Sequence, residues 1–157
     1  WLGGGSAPFA DVVLVARTPR DRVGIRIATH RALLSAWSLP FRKMFQPGSF
    51  QSIPLGGEVV LEVDNAEIFR EFIRFIYVPM ARLNRGIVFG MLKLASIWQV
   101  KELEAQCVLF VRRTMCVADL SKVWKVAEQI YCKVLLRHCE EFGAKNIRQC
   151  HSSMETG

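Results

Sequence analysis

The chain has 157 residues, 51% of them hydrophobic, which is enough to fill the core of one ordinary domain without disulfides or a metal. No apolar stretch approaches the roughly 20 residues that a bilayer span needs, so no membrane partner is predicted. The net charge of +7 is spread evenly along the chain, and a nucleic-acid partner is therefore not expected.

The five cysteines are odd in number and include no Cys-x-x-Cys pair, so neither a disulfide framework nor a zinc ribbon is predicted. We expect no metal and no cofactor. Residues 1–8 are rich in glycine and lack a charged-then-apolar signal pattern, which predicts a flexible lead-in. A cytoplasmic or nuclear location is the resulting expectation.

A β-hairpin is the first structured segment predicted. Residues 11–17 are β-branched and nearly all apolar, which favours a strand covered on both faces. Residues 18–22 supply turn chemistry, and residues 23–27 alternate between apolar and polar. The turn carries the densest basic patch, which is explained either as solvated charge or as a contact for phosphate or an acidic partner: Arg17, Arg20, Arg22 and Arg26.

Two short helices follow, because apolar residues recur at helical spacing from Leu33 to Phe45 and Pro40 interrupts them. Residues 47–57 read as a loop and residues 58–63 as a third strand. Asp64 stands three residues before Glu67, which predicts a capping box at the start of the next helix. That helix is predicted to be mostly buried and to end before Pro79.

The remainder is predicted to be helical, with four apolar stripes. Beyond Asn146 the pattern dissolves, so residues 149–157 are predicted to be a disordered tail. Strands first and helices after them indicate an α+β fold, with a small mixed sheet and clustered helices. The stripes are Ile87, Met91, Leu94, Ala95 and Trp98; Leu103, Cys107, Phe110 and Val111; Leu120, Val123, Trp124, Ala127, Ile130 and Tyr131; and Val134, Leu135, Cys139 and Phe142.

This order, with these residues, resembles the BTB/POZ domain family over residues 9–116. Members show an Asp-Val strand start, then His-[Lys/Arg]-x-x-Leu, then Phe-x-x-Met-Phe, and a later helix that ends in Ile-Tyr. The matching residues are Asp11-Val12, His30-Arg31-x-x-Leu34, Phe41-x-x-Met44-Phe45 and Ile76-Tyr77. Residues 117–148 are similar to the helix pair that opens BACK regions, through Ala127-Glu128 and residues 139–142.

The resemblance implies a protein–protein interaction or oligomerisation module rather than an enzyme. Consistently, the sequence contains no Gly-x-Ser-x-Gly, Walker A or His-Glu-x-x-His motif. BTB followed by BACK is the order of substrate adaptors of cullin-RING ubiquitin ligases, so the predicted partner is a cullin scaffold or another BTB domain. The alternative is a transcriptional or chromatin regulator that uses the domain for self-association and corepressor binding.

Four protein-binding residues follow from the resemblance. Phe50 lies where cullin-docking members carry an apolar residue, any residue, then Glu; here Ser52 replaces the Glu. Tyr77 matches a tyrosine near the same docking face, where it either meets a partner or caps the core. Asp11 and Arg31 match an acid and a base that come together near the dimer centre, as a structural pair or as a partner-binding pocket.

Two further expectations concern the family's structure. His30 is expected to be packed and hydrogen-bonded where the hairpin meets the first helix. Dimerising members carry a helix before the Asp-Val strand, and residues 1–10 are too short and too rich in glycine for a full one. Homodimerisation therefore stays open.

Overall fold

The computed structural model of the protein describes residues 8–48 and 53–154, with side chains as far as residue 146. The chain divides into two compact units, the first ending at Glu104 and the second beginning at Ala105. Within the described ranges, no helix has both the length and the hydrophobicity that crossing a bilayer requires.

A three-stranded sheet forms the base of the first unit. Strands β1 (Val12–Thr18), β2 (Asp21–Thr29) and β3 (Gly57–Glu62) lie in the order β2-β1-β3. β1 pairs antiparallel with β2 and parallel with β3, so the sheet is mixed as predicted. The central position of β1 explains its apolar sequence, because both faces and both edges of this strand are covered; Val12, Leu14, Val15 and Ala16 are buried.

The hairpin contains an irregularity at Gly24. The β1–β2 register shifts between Ala16 and Thr18, and Gly24 takes a φ of +74° opposite the shift. A Cβ at this position would lie 2.6 Å from the carbonyl oxygen of Ala16, closer than any real contact. Only glycine satisfies both the left-handed backbone and the close approach of the neighbouring strand.

Helices α1 (Arg31–Trp37) and α2 (Leu39–Phe45) follow, separated by the buried Ser38. The Ser38 hydroxyl oxygen accepts a hydrogen bond from the Phe41 N–H at 3.2 Å and so caps α2. The break therefore falls one residue before the predicted Leu39-Pro40 position. Pro40 sits in the first turn of α2, where its missing N–H has no consequence.

Helix α3 (Ala66–Tyr77) is the buried helix that the sequence predicted, but its cap is Asn65 rather than Asp64. The Asn65 Oδ1 accepts hydrogen bonds from the N–H groups of Glu67 and Ile68, at 2.9 and 3.0 Å. The residues that α3 buries in the core are Phe69, Phe72, Ile73, Phe75 and Ile76.

Helix α4 (Val88–Ile97) completes the core of the first unit together with an aromatic stack. The ring of Trp98, directly after α4, stacks on Phe41 of α2 with 3.9 Å between centroids and 12° between planes. Phe69 of α3 lies tilted against the same Trp98 ring at 6.5 Å. Three helices are thus joined through one indole.

Helix α5 (Lys101–Thr114) spans the division between the units. The second unit continues with a 3₁₀ turn (Val117–Asp119), helix α6 (Leu120–Gln129) and helix α7 (Lys133–Met154). The sequence predicted a disordered tail from residue 149, whereas the backbone of α7 is helical to Met154.

Two predicted core positions of the second unit are wrong. Tyr131 is 88% exposed and Val134 is 55% exposed, while Val126 and Cys132 are buried. Tyr131 takes a φ of +54° between α6 and α7. A left-handed residue interrupts the helical spacing, so the apolar stripe of α6 does not continue through Tyr131. Cys132 is buried instead.

Candidate functional site

The candidate site lies where β2 passes into α1, and it contains three of the four predicted binding residues. We call its members, Asp11, Thr29, His30, Arg31 and Tyr77, the β2–α1 junction. The site forms because α3 ends at Tyr77 beside the last residue of β2. The Tyr77 hydroxyl lies 2.7 Å from the hydroxyl oxygen of the buried Thr29.

His30 makes the junction a closed hydrogen-bond network. Its backbone N–H donates to the Tyr77 oxygen at 3.1 Å, and its Nδ1 lies 2.8 Å from the same oxygen. Its Nε2 lies 3.1 Å from the carbonyl oxygen of Pro8. A carbonyl only accepts, so Nε2 carries a proton. In the neutral ring, Nδ1 then accepts from the Tyr77 hydroxyl, and Thr29 donates to the phenol oxygen.

This network confirms the expected packing of His30 and places the Tyr77 hydroxyl in hydrogen bonds within the first unit. Every hydrogen-bonding position of the phenol oxygen is occupied within the first unit. Tyr77 therefore ties α3 to the end of the sheet through its hydroxyl. Thr29 was not predicted as a site residue; its signal is a β-branched hydroxyl residue at the end of a strand, next to His30.

Asp11 and Arg31 lie together, and the hydrogen bond that joins them runs from the Arg31 backbone to the Asp11 carboxylate. The Asp11 Oδ1 accepts a hydrogen bond of 2.8 Å from the backbone N–H of Arg31, the first residue of α1. His30, at the N-cap position, offers α1 no side-chain hydrogen bond. The carboxylate therefore satisfies an N–H that the helix itself cannot, and it lies at the favourable end of the helix dipole.

The Arg31 side chain turns toward the segment that was predicted to dock a partner. Its Nη2 donates to the carbonyl oxygen of Pro54, and its guanidinium carbon lies 5.5 Å from the centre of the Phe45 ring. Its Nε is buried and has no hydrogen-bond partner within the described part of the chain. Arg31 thus holds both ends of the loop between α2 and β3.

Phe50 and Ser52 lie outside the described residues, which resume at Ile53. The described ends of that loop are nevertheless placed by Arg31 at the β2–α1 junction. The described ends of the loop, on either side of residues 49–52, therefore lie beside Arg31.

The arginines of the basic hairpin lie at the surface, which both solvated charge and a contact for phosphate or an acidic partner require. Arg17, Arg20 and Arg22 are exposed, and the exposed Arg26 forms an ion pair with Glu58 of β3. A direct hydrogen bond between the two side chains raises the pKa of Arg26 and lowers the pKa of Glu58. One of the four positive charges is thus balanced within the sheet itself.

Cysteine and metal chemistry have little geometric support in the described ranges. No group of three potential metal ligands lies together there. Cys107 and Cys139 are fully buried, and burial raises the pKa of the Cys139 thiol. The Cys116 thiol donates a 3.0 Å hydrogen bond to the Asp119 carboxylate.

Comparison with known proteins agrees with the geometry. The sequence model of the BTB/POZ domain matches residues 6–115. The chain is 28% identical to Kelch-like protein 21 of Danio rerio over 147 residues, which are 94% of this chain and 23% of that protein. It is 24% identical to Kelch-like protein 7 of Mus musculus, again over 94% of this chain and 24% of that protein. The chain thus spans about a quarter of the length of these relatives.

Two solved structures share the fold. The BTB domain of zebrafish PATZ1 superposes with a TM-score of 0.53 at 19% identity, covering 68% of this chain and 78% of that one. The BTB domain of human Gigaxonin superposes with a TM-score of 0.52 at 22% identity, covering 66% and 78%. The mixed sheet with its clustered helices is therefore an arrangement that other chains also adopt.

Proposed function

The chain belongs to the BTB/POZ domain family, and from that membership we propose that it is the scaffold-binding part of a substrate adaptor of a cullin-RING ubiquitin ligase. As a BTB domain with Kelch-like relatives it is a protein–protein interaction module. Its role in this proposal is to bind, and no catalytic residue is assigned to it. The cytoplasm and the nucleus are the locations that suit such an adaptor.

One observation carries the adaptor proposal. The similarity to Kelch-like protein 21 covers 94% of the chain, so it continues past residue 115, where the BTB/POZ match ends, into α6 and α7. These helices are the ones that resemble the start of a BACK region. BTB followed by BACK-like helices is the order expected of an adaptor, with a substrate-binding region elsewhere in the protein.

The loop between α2 and β3 is the docking element in this proposal. Phe50 supplies an apolar anchor, which in protein interfaces fills a pocket and contributes far more than its polar surroundings. Ser52 stands at the position where related docking loops carry an acidic residue. The anchor therefore supplies most of the affinity, and Arg31 supports it by holding the loop ends at Phe45 and Pro54.

The test is the affinity of the 157-residue chain for a cullin N-terminal region, measured by isothermal titration. We expect binding at micromolar or tighter concentration and a loss of about tenfold or more for Phe50→Ala. Val23→Ala is the control, because Val23 is 80% exposed and lies toward the opposite end of β2 from the β2–α1 junction. No heat of binding at tens of micromolar, or an equal loss in both variants, would contradict the proposal.

Self-association is the second candidate, as a transcriptional or chromatin regulator would use it. It is favoured by two large apolar side chains, Phe9 at 95% and Leu55 at 83% exposure. Their segments are adjacent, because the Gly56 N–H donates to the Asp11 carbonyl at 2.8 Å. Light scattering distinguishes this candidate: a dimer that Phe9→Ser and Leu55→Ser convert to a monomer would support it, and a wild-type monomer at 100 μM or so would remove it.

A further inference from the structure

A basic pocket opens on the second unit. Its volume is about 390 Å³, within the range of ligand pockets in proteins. Helices α5 and α7 supply its walls. We call it the basic pocket, and it is lined by Arg112, Lys133, Val134, Arg137, His138 and Glu141.

The charges of the basic pocket are unbalanced. Arg112, Lys133 and Arg137 carry three positive charges, against the single negative charge of Glu141. Lys133 and Arg137 are four residues apart, which places them on one face of α7. Like charges that converge on one concavity repel one another, and an anion in that concavity removes the repulsion.

The backbone of α7 adds to the positive electrostatic potential of the basic pocket. Helix α7 begins at Lys133 and runs for 22 residues, so Lys133 and Val134 form its first turn. The Lys133 N–H donates to the Tyr131 carbonyl oxygen at 3.1 Å, and the helix dipole places partial positive charge at this end of α7. The pocket therefore combines a helix N-terminus with three cationic side chains.

His138 lines the same pocket. Burial lowers its pKa, and the charges of Arg112 and Lys145 lower it further, against an opposing effect from Glu141. Its Nε2 is buried without a hydrogen-bond partner in the described part of the chain. A second protonation of this ring is disfavoured first by burial and then by the positive charge of Arg112.

We propose that the basic pocket binds a phosphate monoester carried by a side chain of a partner protein. Two guanidinium groups present planar pairs of donors that match phosphate oxygens, and a dianion neutralises the net positive charge better than a carboxylate does. Arg112, Lys133 and Arg137 are exposed, so a group attached to a larger molecule reaches them. The proposal goes beyond scaffold docking and does not depend on it.

A phosphorylated protein fits this surface better than a nucleic acid does. The cations enclose one compact pocket instead of following a stripe along which a backbone of phosphates would lie. Phenylalanine, tyrosine and tryptophan are absent from the described residues that line it, so it lacks the large rings on which successive bases of a single strand usually stack. A binding site for one phosphate group matches both features.

The test titrates the full 157-residue chain with an acetyl-Gly-phosphoserine-Gly-amide peptide and follows backbone amides by NMR. We expect shifts centred on Val134 and His138, and none with the unphosphorylated peptide. The double variant R112Q/R137Q should weaken binding at least about tenfold, because each guanidinium contributes charge-assisted hydrogen bonds. Arg113→Gln is the matched control: it removes a neighbouring exposed charge of α5 that does not line the pocket.

Each alternative outcome would overturn the proposal. An equal loss in Arg113→Gln would mean that net charge alone attracts the peptide. Inorganic phosphate binding as tightly as the peptide would indicate a free-anion site, and a 12-mer single-stranded DNA binding more tightly would indicate a nucleic-acid surface. Thermal melts of all variants establish that they are folded, since the substituted side chains are exposed.

Discussion

The Tyr77 hydroxyl oxygen lies 2.8 Å from Nδ1 of His30 and joins the end of helix α3 to the residue between β2 and α1. The same oxygen contacts the hydroxyl of the buried Thr29. Tyr77, which the family resemblance predicted as a binding residue, thus makes structural contacts within the first unit. Tyr77 fixes the end of β2 beside α1. Arg31, the first residue of α1, contacts both ends of the loop between α2 and β3.

Removing one oxygen from this network should reduce stability. Tyr77→Phe leaves the Thr29 hydroxyl, the His30 N–H and Nδ1 without their common partner, and we expect a loss of about 1–3 kcal/mol. The matched control is Tyr131→Phe, because Tyr131 is 88% exposed and should change stability by less than about 0.5 kcal/mol. Urea unfolding of both variants measures the difference. Equal midpoints would show that the network contributes nothing.

Asn65 caps α3, and the adjacent Asp64 does not. Asn65→Ala removes an oxygen that accepts from two backbone N–H groups, and about 1 kcal/mol should be lost. Asp64→Ala leaves the cap intact and should have a clearly smaller effect. Thermal unfolding of the pair provides the comparison, and a larger loss in Asp64→Ala would restore the capping box that the sequence suggested.

Two glycines with positive φ should respond differently to alanine. Gly24→Ala meets both backbone strain and a Cβ placed 2.6 Å from the Ala16 carbonyl oxygen, whereas no atom of the described residues comes within 4 Å of a Cβ at Gly48. We expect about 1–2 kcal/mol from the left-handed backbone in each, with about 1–3 kcal/mol more at Gly24. Chemical denaturation should show a clearly lower free energy of unfolding for Gly24→Ala than for Gly48→Ala. The reverse order would contradict the register of the hairpin.

His138 predicts a pH dependence of stability. Its pKa is lowered in the folded chain by burial and by the charges of Arg112 and Lys145, which outweigh Glu141. Below its ordinary pKa of 6.5 the unfolded chain binds a proton that the folded chain does not, so stability falls as the pH falls. His138→Gln should therefore lose less of its melting temperature between pH 7.5 and pH 5 than the wild type does. An identical loss would mean that the ring is equally protonated in both states.

The strands and the buried helix α3 were predictable from the local spacing of apolar residues, because burial of a strand or helix face requires that spacing. The apolar run of β1 reflects its central position between β2 and β3, and the spacing of Phe69, Phe72 and Ile76 reflects the buried face of α3. These patterns depend on the strand or helix itself, so the sequence carries them without reference to the rest of the chain.

The errors arise where a distant contact decides a local boundary. The Val63 N–H still pairs with the Arg17 carbonyl at 2.8 Å, which extends the sheet and moves the cap of α3 from Asp64 to Asn65. The Asp11 carboxylate bonds to the backbone N–H of Arg31 because α1 starts there. No spacing within the sequence encodes either contact.

The basic pocket was missed for a related reason. Lys133 and Arg137 share a helix face that the sequence displays, but Arg112 belongs to another helix. Only the packing of the second unit brings the three cations to one concavity. An isolated basic pair at this spacing is usually a solvated helix face.

Hydrogen exchange of the 157-residue chain, alone and with a saturating cullin N-terminal region, tests the central claim most directly. The adaptor proposal predicts protection in the segment between Phe45 and Pro54 and at the β2–α1 junction, with the basic hairpin around Asp21 unchanged. Exchange that is unaltered throughout the chain, or protection confined to the hairpin, would contradict it.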